Sequence, residues 1–141
     1  MGPLRQKTFG IIKPDAVRKH ATGKIISMIE ESGLEITGLK RTVISSNEAE
    51  AFYGVHKGKP FYPTLIQFMC SGPSVVMVIE GENAIARWRE LMGSTDSTKA
   101  AEGTVRKLFG TDMQKNAAHG SDAPETAEKE ISFFFSEREL L

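Results

Sequence analysis

Cysteine is almost absent from the 141-residue chain, where Cys70 stands alone. A single thiol excludes an internal disulfide and a cysteine-built zinc site, and it suits a reducing, intracellular compartment. An excess of charge of one sign is missing too. Eighteen Lys and Arg balance eighteen Asp and Glu, so no bulk field draws the chain to nucleic acid or a membrane surface. Any anion it binds has to be held by a local cluster of cations. No apolar run approaches the roughly 18 residues of a membrane span, and the amino-terminal stretch lacks a signal-peptide pattern. A cytoplasmic protein with no membrane association is expected. Several catalytic signatures are absent as well. There is no HxH, HxxxH or Cys/His cluster for zinc, no G-x-S-x-G elbow, no Walker A loop and no dinucleotide fingerprint.

What is present is ordinary globular composition, 40% hydrophobic and 26% charged, at a length that suits one domain over 1–141 with a real core. Strands and helices alternate along it. "KTFGIIK" (7–13) predicts a strand that stops at Lys13-Pro14-Asp15. Thr22 can cap a helix with Ile25, Met28 and Ile29 on one face, closed by Gly33. "LEITGLKRTVI" (34–44) predicts a strand whose alternation slips at Gly38, as at a bulge. Ser45 and Glu48 have capping-box spacing before a short helix. Further helices are expected at 61–70 and 82–93, with a strand buried on both faces at 74–80. Residues 94–122 form a long polar segment with one helical turn at Thr104–Phe109. A helix from Ala123, a last strand "ISFFF" (131–135) and a closing turn with Ser136 and Glu139 in capping-box spacing complete the order. This pattern predicts an α+β, ferredoxin-like split βαβ sandwich: a four-stranded antiparallel sheet covered by helices, with a long loop between the last helix pair.

One stretch, "KNAAHGSDAPETAEKE" (115–130), stands out. His119 is flanked by small residues that leave its imidazole accessible. Asp122 and Glu125 follow at capping-box spacing, and a helix start beside the histidine favours an anion. Histidine is a competent covalent nucleophile near neutral pH. Lys13, Arg89 and Arg106 are candidate phosphate donors, and Glu130 can orient an imidazole. Lys13 closes a strand before a Pro-Asp turn, where side chains commonly face a ligand crevice; the arginines and aromatics have plainer readings when taken singly. On the helix at 82–93, Ile85, Trp88 and Met92 form the buried stripe. Arg89 on its flank would merely snorkel, and Arg87 points away. Arg106 reads as a solvated charge, and Tyr53, Phe61 and Leu65 read as core. His20 and His56 have no partner pattern and read as surface histidines.

The stretch "NAAHGSDAPETAEKEI" resembles the active-site signature of nucleoside diphosphate kinases. The similarity continues through "IIKPDAV" (11–17), "FYGVHKGKPFYPTLIQFM" (52–69), "SGPSVVMVIEGENAI" (71–85), "RELMGSTD" (89–96) and "EGTVRKLFG" (102–110). Several independent motifs in one order make the likeness strong. It implies transfer of the γ-phosphate of a nucleoside triphosphate to a diphosphate through phosphorylated His119, with Glu130 holding the ring nitrogen that does not attack. Lys13 and Tyr53 then meet the transferred group and the ribose 3′-hydroxyl region, and Asn116 meets the ribose. Arg89, Thr95 and Arg106 clamp the phosphates. Phe61 and Leu65 form one wall for the base and Met113 the other, so purines and pyrimidines would both be accepted. Mg²⁺ arrives on the nucleotide rather than in a protein cage, with Asp122 reaching it through a water.

The same resemblance implies a homo-oligomer, a tetramer or hexamer built from dimers, and the short carboxy-terminal end matches bacterial-type members. The chain departs from many relatives in its proline-free "STDSTKAAEGT" loop and in Lys59, where they carry arginine. Two other classes fit the sequence less well. A ferredoxin-like RNA-binding module would need an aromatic RNP signature and a basic face, and neither occurs. A phosphohistidine carrier without nucleotide specificity would not need Lys13, Phe61, Thr95 and Arg106 together.

Overall fold

A computed structural model describes residues 5–141 of the chain. Residues 1–4, included in the single domain expected over 1–141, lie outside the described residues. In chain order the elements are β1 (Arg5–Ile12), α1 (Pro14–Arg18), α2 (Thr22–Glu31), β2 (Glu35–Thr42), α3 (Ser46–Phe52), α4 (Tyr62–Met69), β3 (Ser74–Glu82), α5 (Ala84–Met92), α6 (Val105–Phe109), β4 (Ala118–Gly120) and α7 (Pro124–Phe134). Short 3-10 turns occupy Gly54–His56, Ser97–Lys99 and Glu137–Glu139. The sheet order is β2-β3-β1-β4, every neighbouring pair antiparallel. This is the ferredoxin-like split βαβ arrangement, with β3 between β1 and β2, and β1 between β3 and β4.

Period-two alternation divides the core between the two sheet faces. Val75, Met77 and Ile79 of β3 meet α2 and α5 through Ile25, Ile29, Trp88 and Met92. Val76 and Val78, with Phe9 and Ile11 of β1, meet Leu65, Phe68 and Met69 of α4 together with Ile131 and Phe134 of α7. The expected bulge in β2 is real: the pairing register with β3 shifts between Ile36 and Gly38. A Cβ at Gly38 would stand 3.0 Å from Leu140 and 3.1 Å from Phe135, so the bare backbone lets the chain end pack closely. The Ser45–Glu48 capping box forms, with Ser45 N donating to Glu48 Oε1 at 2.9 Å and Glu48 N to Ser45 Oγ at 3.1 Å.

Several expectations need correction. "ISFFF" is not a strand, because Ile131 to Phe134 complete α7. Ala127, Ile131 and Phe134 recur at i, i+4 and i+7 and face the core, but a continuous apolar run does not reveal that period. The fourth strand is instead Ala118–Gly120, inside the segment expected to be loop. The Asp122–Glu125 capping box does not form. Pro124 takes the first helical position and Ala123 is the extended N-cap, as the residue before a proline prefers. Lys13 does not end a strand: it is the N-cap of α1, a helix that was not foreseen. Thr22 lies inside α2, which starts after Ala21.

Candidate active site

His119 sits at the centre of β4, paired with Ile11 on β1. Its side chain emerges among aromatic rings, with centroids 5.6 Å from Phe52, 6.2 Å from Phe9 and 6.4 Å from Tyr53. Its Nε2 lies 2.9 Å from Oε1 of Glu130, which α7 supplies. The same oxygen accepts a 2.7 Å bond from Ser121 Oγ, so the carboxylate is itself held in place. With Nε2 engaged, Nδ1 is the ring nitrogen left available.

The imidazole borders a cleft of about 600 Å³. Every candidate cleft residue expected from the sequence lines it: Lys13, Tyr53, Phe61, Leu65, Arg89, Thr95, Arg106, Met113, Asn116, His119 and Glu130. Asp122 does not. It borders a neighbouring depression that shares Arg89 with the cleft. Phe52, Val55, His56 and Gln114 also line the cleft and were missed. Their available signal was proximity, since Phe52 adjoins Tyr53 and His56 lies between Tyr53 and Phe61. His56 stacks at a tilt 5.3 Å from Phe61, and its Nδ1 is 3.2 Å from Lys59 Nζ. Burial and then the charges of Lys59 and His119 lower its pKa.

The cations are built in differently. Lys13 is buried, and its Nζ donates to Asn116 Oδ1 at 2.8 Å. Asn116 in turn donates through Nδ2 to the carbonyls of Thr95 and Met113, both at 3.0 Å. One amide therefore ties the lysine to the loop that carries the other wall. Burial, and next the charge of Arg106, lower Lys13 to about 8. Arg106 is not the solvated charge it resembles in sequence. It is only 9% exposed and donates to the carbonyls of Gly93 and Ala118, each at 2.9 Å. Burial first and Arg89 second lower it to about 10. Arg89 is exposed at the rim.

Tyr53 is buried, and its hydroxyl has no hydrogen-bond partner among the described residues. Burial and then Glu130 raise its pKa, so it stays a neutral phenol able to donate. Among the described residues no group of three or more His, Cys, Asp or Glu is placed to hold a metal ion. No helix among them is long and apolar enough to cross a membrane.

A ferredoxin-like domain with a carboxylate-held imidazole in a cation-lined cleft is suited to moving phosphate. Comparison with known proteins narrows that class. The family model described as nucleoside diphosphate kinase matches residues 6–140. The chain is 52% identical over 136 residues to the nucleoside diphosphate kinase of Chelativorans sp. (strain BNC1), covering 96% of this chain and 97% of that one. It is 53% identical over 136 residues to that of Bradyrhizobium diazoefficiens, with the same coverage. Among solved structures, the Aquifex aeolicus nucleoside diphosphate kinase superposes with a TM-score of 0.95 at 45% identity, covering 98% of this chain and all of that one. The Halobacterium salinarum enzyme, solved in complex with CDP, gives 0.94 at 39% identity, covering 98% and 92%. The chain belongs to the nucleoside diphosphate kinase family. It is an enzyme that transfers phosphate between nucleotides, and the family works with a divalent cation.

Proposed function

We propose that the γ-phosphate of a nucleoside triphosphate passes to a nucleoside diphosphate in two half-reactions through His119. One observation carries this reading: Glu130 holds Nε2 at 2.9 Å, which leaves the Nδ1 lone pair for the cleft. In the first half-reaction Nδ1 forms a bond to the γ-phosphorus. The bond to the β–γ bridging oxygen breaks, and the diphosphate departs with that electron pair. In the second, a terminal oxygen of another diphosphate takes the phosphoryl group and Nδ1 recovers its pair. The Nε2 proton stays on its bond to Glu130 throughout.

Phosphoryl transfer asks a protein chiefly for positioning and charge stabilisation. Lys13, Arg89 and Arg106 supply charge, with Thr95 completing the clamp. The free Tyr53 hydroxyl and Asn116 address the transferred group and the ribose. The base lies between Phe61 and Leu65 on one side and Met113 on the other, and apolar walls do not discriminate base edges. The cation is Mg²⁺ carried on the nucleotide phosphates, where it neutralises charge on the transferring group. The cationic lining of the cleft suits a metal that arrives already bound, and Asp122, in the depression that shares Arg89 with the cleft, would reach it only through a water. We further read 1–141 as one domain, cytoplasmic, assembled as a homo-oligomer from dimers.

Incubation with γ-labelled ATP should leave acid-labile, alkali-stable label that a later addition of GDP removes as GTP. Label that persists in His119→Ala defeats the assignment.

A further inference from the structure

Three residues of ladder are a short anchor for a nucleophile, and β4 is also the outermost strand of its sheet edge. Other groups hold it. Asp15 Oδ2 accepts from the N–H of Ala117 at 3.0 Å, fixing a residue at φ +72°. Arg106 donates to the carbonyl of Ala118 at 2.9 Å. The carbonyl of His119 itself accepts from the indole Nε1 of Trp88 at 3.2 Å.

Trp88 is fully buried on α5 and packs against the sheet face opposite the His119 ring. There Gly10 and Gly120 stand directly across from each other on β1 and β4. A Cβ on Gly10 would lie 3.1 Å from Trp88 Nε1, and one on Gly120 would lie 2.7 Å from Trp88 Cδ1. Two bare backbones facing each other make the slot that the indole fills. The His119 peptide is therefore fixed from one face by the indole, while its imidazole is fixed from the other by Glu130 and the aromatic rings.

We propose that Trp88 is a positioning residue for phosphoryl transfer: its indole N–H on the His119 carbonyl, and its ring seated over the Gly10–Gly120 pair, set where the nucleophilic nitrogen stands in the cleft. The proposal rests on the reading of His119 as the nucleophile. A small rotation of the β4 peptide would move Nδ1 off the line of attack without altering the phosphate clamp, so the chemical step should suffer while nucleotide binding does not.

Trp88 is the only tryptophan in the chain, which permits a substitution at the level of one atom. Biosynthetic replacement of tryptophan by 3-benzothienylalanine alters position 88 alone, keeping the ring shape while removing the N–H. Single-turnover phosphorylation at saturating ATP should slow about three- to tenfold, the scale of one lost net hydrogen bond, with half-saturation changed less than about twofold. An unchanged phosphorylation rate in the folded analogue protein overturns the proposal, as does a loss confined to half-saturation.

A second measurement stands if the analogue protein does not fold. In protein labelled with 5-fluorotryptophan, which keeps the N–H, the fluorine resonance should move when ATP phosphorylates His119 and return when ADP removes the phosphate. The same ATP addition to labelled His119→Ala should leave it in place, which separates phosphorylation from nucleotide binding. A resonance that does not move while His119 carries label overturns the proposal. Absence of label on the unsubstituted protein defeats instead the nucleophile reading on which the proposal rests.

Discussion

Lys13 is the cation whose charge is least secure. Burial and then Arg106 bring it from the ordinary lysine value of 10.5 to about 8, so its ammonium is complete only below that pH. Nucleotide affinity of the free enzyme should fall as pH rises through about 8. Stability moves the other way. Between about 8 and 10.5 the unfolded chain still binds the proton that the folded chain has released, so unfolding free energy rises with pH across that window. Below it the cost of the buried charge is present in full. Calorimetric titration with a non-hydrolysable nucleotide, and urea unfolding on either side of the window, test the two signs. Both trends should vanish in Lys13→Met.

Three arginines separate binding from folding in the same way. Arg89→Ala and Arg106→Ala should each lower kcat/KM roughly 10- to 100-fold, the scale of a charge-assisted hydrogen bond. Of these two, only Arg106→Ala should also lower the melting temperature, since Arg106 braces Gly93 and Ala118 from within. Arg87, expected from its helical phase to be dispensable, donates to the carbonyls of Glu82 and Ser32 and so ties α5 to the end of α2. Its removal should cost about 1 kcal/mol of stability with kcat/KM unchanged. Equal kinetic losses at Arg87 and Arg89 would show that the cleft is wrongly drawn. Which residues gather at the cleft was legible, because the likeness runs through six separated motifs. How each is held was not. Arg106 looks like any surface arginine until Gly93 and Ala118 are folded around it.

At the scale of elements, legibility followed whether a pattern had a period. The helices at 82–93 and 22–33 carry a clear apolar stripe, and β3 reads as a doubly buried strand; all three lie where expected within a few residues. "ISFFF" has no period to read, so only packing against β1 reveals a helix. β4 was invisible for a different reason. Its residues are Ala, His and Gly, none of them a strong strand former, and the strand exists because β1 presents an open edge and Trp88 requires a glycine opposite Gly10. Local chemistry also misled at Asp122. The spacing to Glu125 is that of a capping box, but Pro124 fixes the extended residue at Ala123 and moves the helix start beyond the reach of Asp122.

At the scale of the whole molecule, β2 is the outer strand on the side of the sheet away from β4, and among the described residues it pairs only with β3. Leu39 on it is 51% exposed, and Val43 just past its end is 60% exposed. An outer strand edge with exposed apolar side chains invites its twin across a two-fold axis. Sedimentation should find no monomer at micromolar protein, and Leu39→Asp should shift the population toward monomer. Contacts between dimers should be the weaker set, because the segment after Thr95 has no proline to limit its freedom before it is ordered. Mild urea should then release dimers before unfolding begins. Monomer at micromolar protein would refute the assembly, whereas direct passage from the largest species to unfolded chain would refute only the ranking of contacts.

The pairing of β1 with β4 has a consequence for synthesis on the ribosome. The strand made first receives its last neighbour from residues 118–120, and the carboxylate that holds His119 emerges later still, at position 130. A chain emerging from its amino terminus can order α1 to α6 and the β2-β3-β1 ladder while the β1 edge stays uncovered. A ribosome stalled before Ala118 would thus display a half-built sheet that cannot hold a phosphate and is open to adhesion with other chains. Catalytic competence and protection from aggregation should therefore arrive together, once residues 118–130 have left the ribosome.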